Sequence, residues 1–232
     1  MEIVQANTKA MLIIESNTEA SSYIRLPSIY QEVAYISRNG NNYIDTEWIP
    51  KQTVPFEVQI WYKISTSWVR YWVLSNYQNI WDWELSFEIN AWWVTNNRVR
   101  YYVQTSNPLP STQEFSSNSL TLNAFNDIKI TNNASNWQSI TLNWTFTNIS
   151  QRYTWTYQNY SAYLFIDRSL RRSTFSYNSM CSYLKIYENG TLIKDFIPCY
   201  RKSDNVIWFR ESKGRKFYTN KWSWTFAKWP DV

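Results

Sequence analysis

Histidine is absent from this chain of 232 residues, and cysteine occurs only twice. Without histidine, a Ser–His–Asp centre and every histidine-ligated metal site are excluded, and two cysteines are too few for a zinc site made of thiolates alone. No apolar run approaches the roughly 18 residues of a membrane-spanning helix, so we expect no membrane span. The first 20 residues lack the basic and apolar regions of a signal peptide, and we expect none in this chain.

A block of like charge is also lacking. The chain has 23 basic and 18 acidic residues, a net charge of +5, and both signs are scattered along its length. A nucleic-acid-binding protein needs its basic residues gathered on one face. We therefore expect a solvated surface and no nucleic-acid partner. Because 44% of the residues are hydrophobic, the chain is too apolar to be disordered and is long enough to bury a core.

Glycine is scarce and tryptophan is abundant, with 3 Gly and 15 Trp. Average usage predicts roughly 16 glycines in a chain of this length, so the sum of the two counts is ordinary and their ratio is inverted. Asn189-Gly190 lies between two strand-like segments, as the favoured two-residue hairpin turn does. Asn143-Trp144 has the same layout with Trp in place of the glycine, although Trp adopts a positive φ only at a cost.

This exchange leads to the hypothesis that many of the Trp codons are UGA and that the source organism reads UGA as glycine (UGA recoding). The alternative is a genuinely Trp-rich protein whose aromatic rings form a sugar-binding surface. Because the two alternatives give opposite accounts of the same residues, we assign no ligand-binding residues from the tryptophans.

Apolar and polar residues alternate with a period of two through most of the chain, which is typical of β-strands with one buried face. In the longest such segment, 56–64, every second residue from Phe56 to Ile64 is apolar, and these five residues face one way. The residues between them face the other way, and they are Glu57, Gln59, Trp61 and Lys63. Short strands separated by polar turns, such as 105–118 and 132–139, predict an all-β antiparallel sandwich or barrel. The predicted strands are 56–64, 69–74, 85–89, 99–103, 128–131, 140–142, 163–166, 183–187, 192–197, 206–209 and 216–219.

Residues 1–25 do not share this rhythm. We expect an attachment or linker segment there, with a frayed first strand as the alternative, and one domain over 26–232.

Both ends of that domain carry recognisable motifs. Residues 26–36 read LPSIYQEVAYI and 42–46 read NYIDT, while 182–207 read SYLKIYENGTLIKDFIPCYRKSDNVI and are followed by KFYTN (216–220) and TFAKWPD (225–231). These segments resemble a concanavalin A-like (laminin-G-like) domain family of bacterial and phage surface proteins. In that family the positions of four tryptophans hold glycine: Trp208, Trp222, Trp224 and Trp229.

The resemblance implies an all-β fold, an antiparallel two-sheet jelly-roll β-sandwich, on the extracellular surface or in a virion. It implies a non-catalytic module for carbohydrate recognition or attachment, with a polysaccharide or glycan ligand and a homo-oligomer or virion or cell-wall neighbours as partners. The alternatives are a purely structural phage or cell-wall component and a glycoside hydrolase.

Three carboxylates, Asp82, Glu84 and Glu88, stand at even spacing and are expected on one face of a strand. Glycosidases of the concanavalin A-like class carry their acid and nucleophile on one strand, and retaining hydrolysis needs two carboxyls about 5–5.5 Å apart. Here Ser86 interrupts the family spacing. A solvated polar face explains the three residues equally well, so we predict no enzyme and keep this trio as the catalytic candidate.

Calcium is the one cofactor that the resemblance implies, because laminin-G-like sandwiches often bind it at a rim. Asp45 and Asp127 are the candidate ligands, and the alternative role for each is to stabilise a turn. Cys181 and Cys199 flank the Asn189-Gly190 turn. Residues paired across a two-residue turn would put these cysteines one step out of register, so we expect two free thiols rather than a disulfide.

Overall fold

The computed structural model describes residues 26–38, 40, 42–51, 53–67, 69–76, 84–91, 94–104, 111–133, 138–149, 160–165, 178–221 and 225–232. The predicted attachment segment, 1–25, lies outside these residues. Within the described ranges we find no helix with the length and hydropathy of a membrane-spanning segment.

The described part of the chain is built from β-strands without helices. The strands are β1 Tyr30–Ser37, β2 Ile44–Asp45, β3 Phe56–Lys63, β4 Tyr71–Ser75, β5 Glu84–Ala91, β6 Val94–Gln104, β7 Ser111–Phe115, β8 Asn126–Asn132, β9 Gln138–Leu142, β10 Thr145–Ile149, β11 Tyr163–Leu164, β12 Met180–Glu188, β13 Thr191–Arg201, β14 Ile207–Glu211, β15 Phe217–Thr219 and β16 Ala227–Asp231.

The strands form two antiparallel sheets. The larger sheet has ten strands in the order β10-β9-β8-β3-β12-β1-β13-β14-β15, with β16 paired to β1. The smaller sheet has six strands in the order β2-β11-β4-β5-β6-β7. One hydrophobic core contains residues of both sheets, and the rings of Phe56 in β3 and Phe87 in β5 meet with their centroids 6.5 Å apart. The fold is therefore the two-sheet β-sandwich that the sequence predicts.

Alternation explains which face of each strand is buried. In β3 and the residue after it, the five predicted core positions are at most 3% exposed, and they are Phe56, Val58, Ile60, Tyr62 and Ile64. The opposite face of β3 contacts solvent, with Trp61 41% exposed. Burial of the apolar face against the second sheet is the main stabilising contribution of such a strand.

All eleven predicted strands occur, with shifted ends, and five of the described strands were not predicted: β1, β2, β7, β10 and β16. The segment 105–118 was predicted as a polar turn, and this is wrong because it contains β7. Among the described residues, β7 pairs with β6 alone and forms the end of the smaller sheet. β2 is only two residues long, and the buried residues of β1, which are Val33, Ile36 and Ser37, do not follow a period of two.

The change of partner in β1 occurs at the base of the β12–β13 hairpin. The two hairpin strands pair with each other from Leu184–Phe196 to the turn and then separate. β1 runs across the open base, so that Glu32 pairs with Cys199 of β13 and Ile36 pairs with Cys181 of β12. Four residues of extended strand, roughly 13 Å, thus separate the two cysteines. Both are buried and free, which confirms the predicted free thiols.

Two hairpins close with two-residue turns of the same backbone conformation. In the β12–β13 turn, Asn189 has φ 49° and Gly190 has φ 74°. In the β9–β10 turn, Asn143 has φ 48° and Trp144 has φ 70°. The sequence predicted both turns, and positive φ at both central residues is the type I′ pattern.

Candidate functional site

The end of three neighbouring strands of the larger sheet forms a recess. Glu57 of β3 lies between its cross-strand partners, Tyr187 of β12 and Thr131 of β8. In the next row, Phe56 lies between Glu188 and Asn132. Because residues in register on one face of a sheet are near neighbours, the first row brings the Tyr187 ring beside the Glu57 carboxylate, and the second row lies on the opposite, buried face.

The recess is a cleft of about 420 Å³, within the range of roughly 300–1,000 Å³ that is typical of small-ligand sites. Its edge is fixed by the adjacent hairpin turn, where the Asn189 N–H donates a hydrogen bond of 2.9 Å to the Pro55 carbonyl. The lining residues are Pro55, Phe56, Glu57, Thr131, Asn132, Asn133, Tyr187 and Gly190.

Glu57 is the only ionisable carboxylate of this lining, which contains no basic side chain. Gln59 Nε2 donates to Glu57 Oε1 at 2.5 Å, and Lys129 Nζ lies 3.5 Å from Oε2. The side chain of Glu57 is 28% exposed, so its carboxylate is oriented by its neighbours and still reached by solvent. Such a carboxylate can accept hydrogen bonds from a ligand's hydroxyl groups.

Tyr187 supplies a second polar group of the cleft, beside Glu57. Burial, and then the charges of Glu57 and Asp195, raise the pKa of the Tyr187 phenol, so the hydroxyl stays protonated and is available as a donor. Asn132 is 2% exposed, and its Oδ1 accepts a hydrogen bond of 3.1 Å from Gln138 Nε2. The cleft therefore offers a ligand the ring and hydroxyl of Tyr187 and the carboxylate of Glu57, whereas the Asn132 amide is buried and held by Gln138.

Two of the three carboxylates predicted as catalytic candidates belong to the smaller sheet and are not part of this cleft. Glu84 and Glu88 both lie on β5 at even spacing, while Asp82 lies outside the described residues. Glu88 is completely buried. Arg70 donates two hydrogen bonds of 2.7 Å to its carboxylate, from Nε to Oε2 and from Nη2 to Oε1. Arg100 Nη2 also donates to Oε2 of Glu88. This geometry is that of a buried ion-pair cluster.

The guanidinium groups of this cluster also contact aromatic rings. Arg70 lies over the ring of Trp72 at 4.1 Å, and Arg100 lies over Tyr102 at 4.7 Å. Burial lowers the pKa of Arg100, and the neighbouring Glu88 carboxylate counteracts this. The cluster thus holds β4, β5 and β6 together on one face of the smaller sheet.

The two candidate calcium ligands lie on different sheets. Asp45 belongs to β2 of the smaller sheet, where its Oδ1 accepts a hydrogen bond of 2.9 Å from the Glu47 N–H. Asp127 belongs to β8 of the larger sheet, where the Tyr183 hydroxyl donates to it at 3.5 Å and burial raises its pKa. Asp45 therefore has the turn-stabilising contact that the alternative predicts. Among the described residues, no group of three or more His, Cys, Asp or Glu side chains is placed to hold a metal.

The described tryptophan side chains lie in very different surroundings. Trp48 and Trp72 are at most 3% exposed, which leaves no ring face for a ligand. Trp61 is exposed and lies 5.1 Å from the ring of Phe125, and Trp144 is 86% exposed. The cleft lining contains no tryptophan. Sequence reasoning missed the cleft, and the Asn189-Gly190 turn, which forms its edge, was the one signal pointing to this end of the sheet.

No protein-family model and no curated protein matches this sequence. Among solved structures, a CBM40 of the IT-sialidase of Ruminococcus gnavus is similar to the chain with a TM-score of 0.53 and 13% identity. The same module bound to α2,3-sialyllactose gives a TM-score of 0.52 and 10% identity. Each match covers 68% of this chain and 90% of the module. The chain shares their β-sandwich fold.

Proposed function

We propose that the chain is a non-catalytic carbohydrate-recognition module and that the cleft beside the Asn189-Gly190 turn binds a neutral sugar. The observation that carries the proposal is the cleft itself, which Tyr187, Glu57 and Asn133 line together. The structural neighbours are carbohydrate-binding modules, and their fold is compatible with this role without fixing it.

The chemistry of the lining fits a pyranose. The apolar face of a sugar ring packs on an aromatic ring such as that of Tyr187. Planar carboxylate and amide groups then accept from, and donate to, neighbouring hydroxyls in fixed geometry. Since Glu57 is the only charged side chain of the described lining and is paired with Lys129, the lining offers no free cation to a sugar that carries a carboxylate. We therefore expect neutral glycans to bind and sialylated ones to bind weakly at this cleft.

The same proposal includes the finer identity. We infer a member of the concanavalin A-like family of bacterial and phage surface proteins, acting at an extracellular or virion surface. A shallow site of this size gains strength from several copies on one surface. The buried and ion-paired state of Glu88 supports the non-catalytic alternative over a glycoside hydrolase.

A glycan array with neutral and sialylated ligands, followed by titration calorimetry on the best ligand, tests the proposal. We expect Glu57→Gln to weaken binding roughly 10- to 100-fold, because hydrogen bonds to a charged group contribute about 1.5–3 kcal/mol. Tyr187→Ala should abolish stacking and weaken binding to a similar degree. Tyr183→Ala is the matched control, because it removes the same ring from the same strand outside the cleft lining.

Unchanged binding in Tyr183→Ala with loss in Tyr187→Ala supports the cleft. Binding lost in Tyr183→Ala and kept in Tyr187→Ala would move the site to the aromatic cluster around Trp61 and overturn the assignment. An array with no bound glycan overturns the proposed function as a whole.

A further inference from the structure

The turn between β9 and β10 places a tryptophan at a backbone conformation that favours glycine or asparagine. The hairpin register pairs Leu142 with Thr145, so residues 143 and 144 alone make the reversal. The backbone of Trp144, at φ 70°, matches that of Gly190 at φ 74° in the equivalent turn. A positive φ is rare for a bulky residue and costs energy, because the Cβ approaches the backbone.

Nothing about the Trp144 side chain offsets that cost. Its side chain is 86% exposed, so the indole buries almost no apolar surface. Most other positive-φ positions of the described residues hold asparagine, which tolerates this conformation. The backbone of Trp144 is thus strained, and its exposed side chain makes almost no packing contribution that would compensate for the strain.

Trp48 has the opposite properties. It is 3% exposed, its Nε1 donates a hydrogen bond of 2.9 Å to Glu188 Oε1, and its ring meets Phe56 edge to face with centroids 5.2 Å apart. Glycine at this position would leave a cavity and remove the donor to Glu188. Tryptophan therefore fits the fold at 48 and does not fit it at 144.

We propose that residue 144 is glycine in the protein as its source organism makes it, encoded by a UGA codon that is read as glycine, while residue 48 is tryptophan encoded by UGG. The count of 3 Gly against 15 Trp is the composition that such a misread codon produces. The inference concerns the identity of residues outside the cleft, so it stands or falls independently of the proposed function.

The test combines the gene with the protein recovered from its source. Codons 144 and 48 are read from the genomic DNA, and the protein is digested with trypsin and analysed by tandem mass spectrometry. Cleavage gives one peptide over 130–152, which contains Trp144, and another over 39–51, which contains Trp48. We expect fragment ions of the first peptide to place glycine at 144 and those of the second to place tryptophan at 48. Fragment ions are needed because the first peptide also contains Trp137.

A UGG codon at 144, or fragment ions with tryptophan there, overturns the proposal. A UGA codon with glycine in the fragment ions establishes it. Trp144→Gly is an independent test of the physical argument. Introduced into the chain with the printed sequence, which has 15 Trp, it should raise Tm by roughly 2–8 °C. Trp48→Gly is the matched control and should lower Tm. An unchanged or lower Tm for Trp144→Gly would contradict the strain on which the inference rests.

Discussion

Replacing Glu88 by glutamine tests the role of the buried ion-pair cluster. The substitution keeps the shape of the side chain and removes its charge, which leaves Arg70 and Arg100 facing each other without a carboxylate between them. Glu88 is 0% exposed, and the side chains of Arg70 and Arg100 are 7% and 6% exposed. Water therefore cannot compensate for the lost charge. We expect a strongly destabilised protein with an unchanged fold.

Loss of one partner of a buried ion pair costs about 3–5 kcal/mol. That is a third or more of the roughly 5–15 kcal/mol that stabilises a typical domain. It corresponds to a fall in Tm of roughly 6–20 °C for a chain of this size. Urea denaturation followed by circular dichroism measures the free energy of unfolding. Wild type and variant are compared with one common slope, m, of that free energy against urea concentration.

Asp204→Asn is the matched control, because Arg201 also donates two hydrogen bonds to the Asp204 carboxylate. They run from Nε to Oδ1 at 3.0 Å and from Nη2 to Oδ2 at 2.5 Å. That pair is exposed on the surface, where such contacts contribute little. A Glu88→Gln variant within about 1 kcal/mol of wild type would refute the reasoning, since it would mean that the cluster is hydrated or unformed.

Three other properties follow from the thiols and the glycine turn. Cys181 and Cys199 are buried and unpaired, so a thiol reagent such as Ellman's reagent should label neither until the protein is unfolded, and rapid native labelling would contradict their placement. Burial raises the pKa of Cys199 from 9.0 to about 12. Between pH 9 and pH 12 the folded chain therefore keeps a proton that the unfolded chain releases, so the free energy of unfolding of wild type should fall as the pH rises. It should fall less steeply in Cys199→Ala, which lacks this group. Gly190→Ala places a Cβ in open space at φ +74°, so it should cost about 1–2 kcal/mol through backbone strain alone, and a Tm equal to that of wild type would show that the turn relaxes.

The sequence predicted the local features of the fold and missed those that depend on distant strands. Alternation in β3 identified the buried face because a strand with one solvated side must alternate. The two hairpin turns were visible because positive φ favours Asn and Gly. β1 was not predicted as a strand because its buried residues, Val33, Ile36 and Ser37, do not follow a period of two.

The candidate site shows the same limit. The neighbours of Glu57 in the cleft, Tyr187 and Thr131, are more than 70 residues away along the chain, and only the strand order β8-β3-β12 brings them together. Even spacing correctly placed Glu84 and Glu88 on one strand. It did not reveal Arg70, just before β4, or Arg100 of β6, and these two side chains determine what the Glu88 carboxylate does.

The placement of β1 has a consequence for the order in which the protein folds. The β12–β13 hairpin forms from adjacent segments, but its open base is closed by a strand made long before it, and the Ser182 hydroxyl bonds to the Ala34 carbonyl across 148 residues of sequence. Contacts of such long range form slowly, since the closing of a large loop must precede them. During synthesis, the backbone hydrogen-bonding groups of β1 therefore remain unpaired until the last strands have been made. We expect a chaperone to bind this segment in the nascent chain.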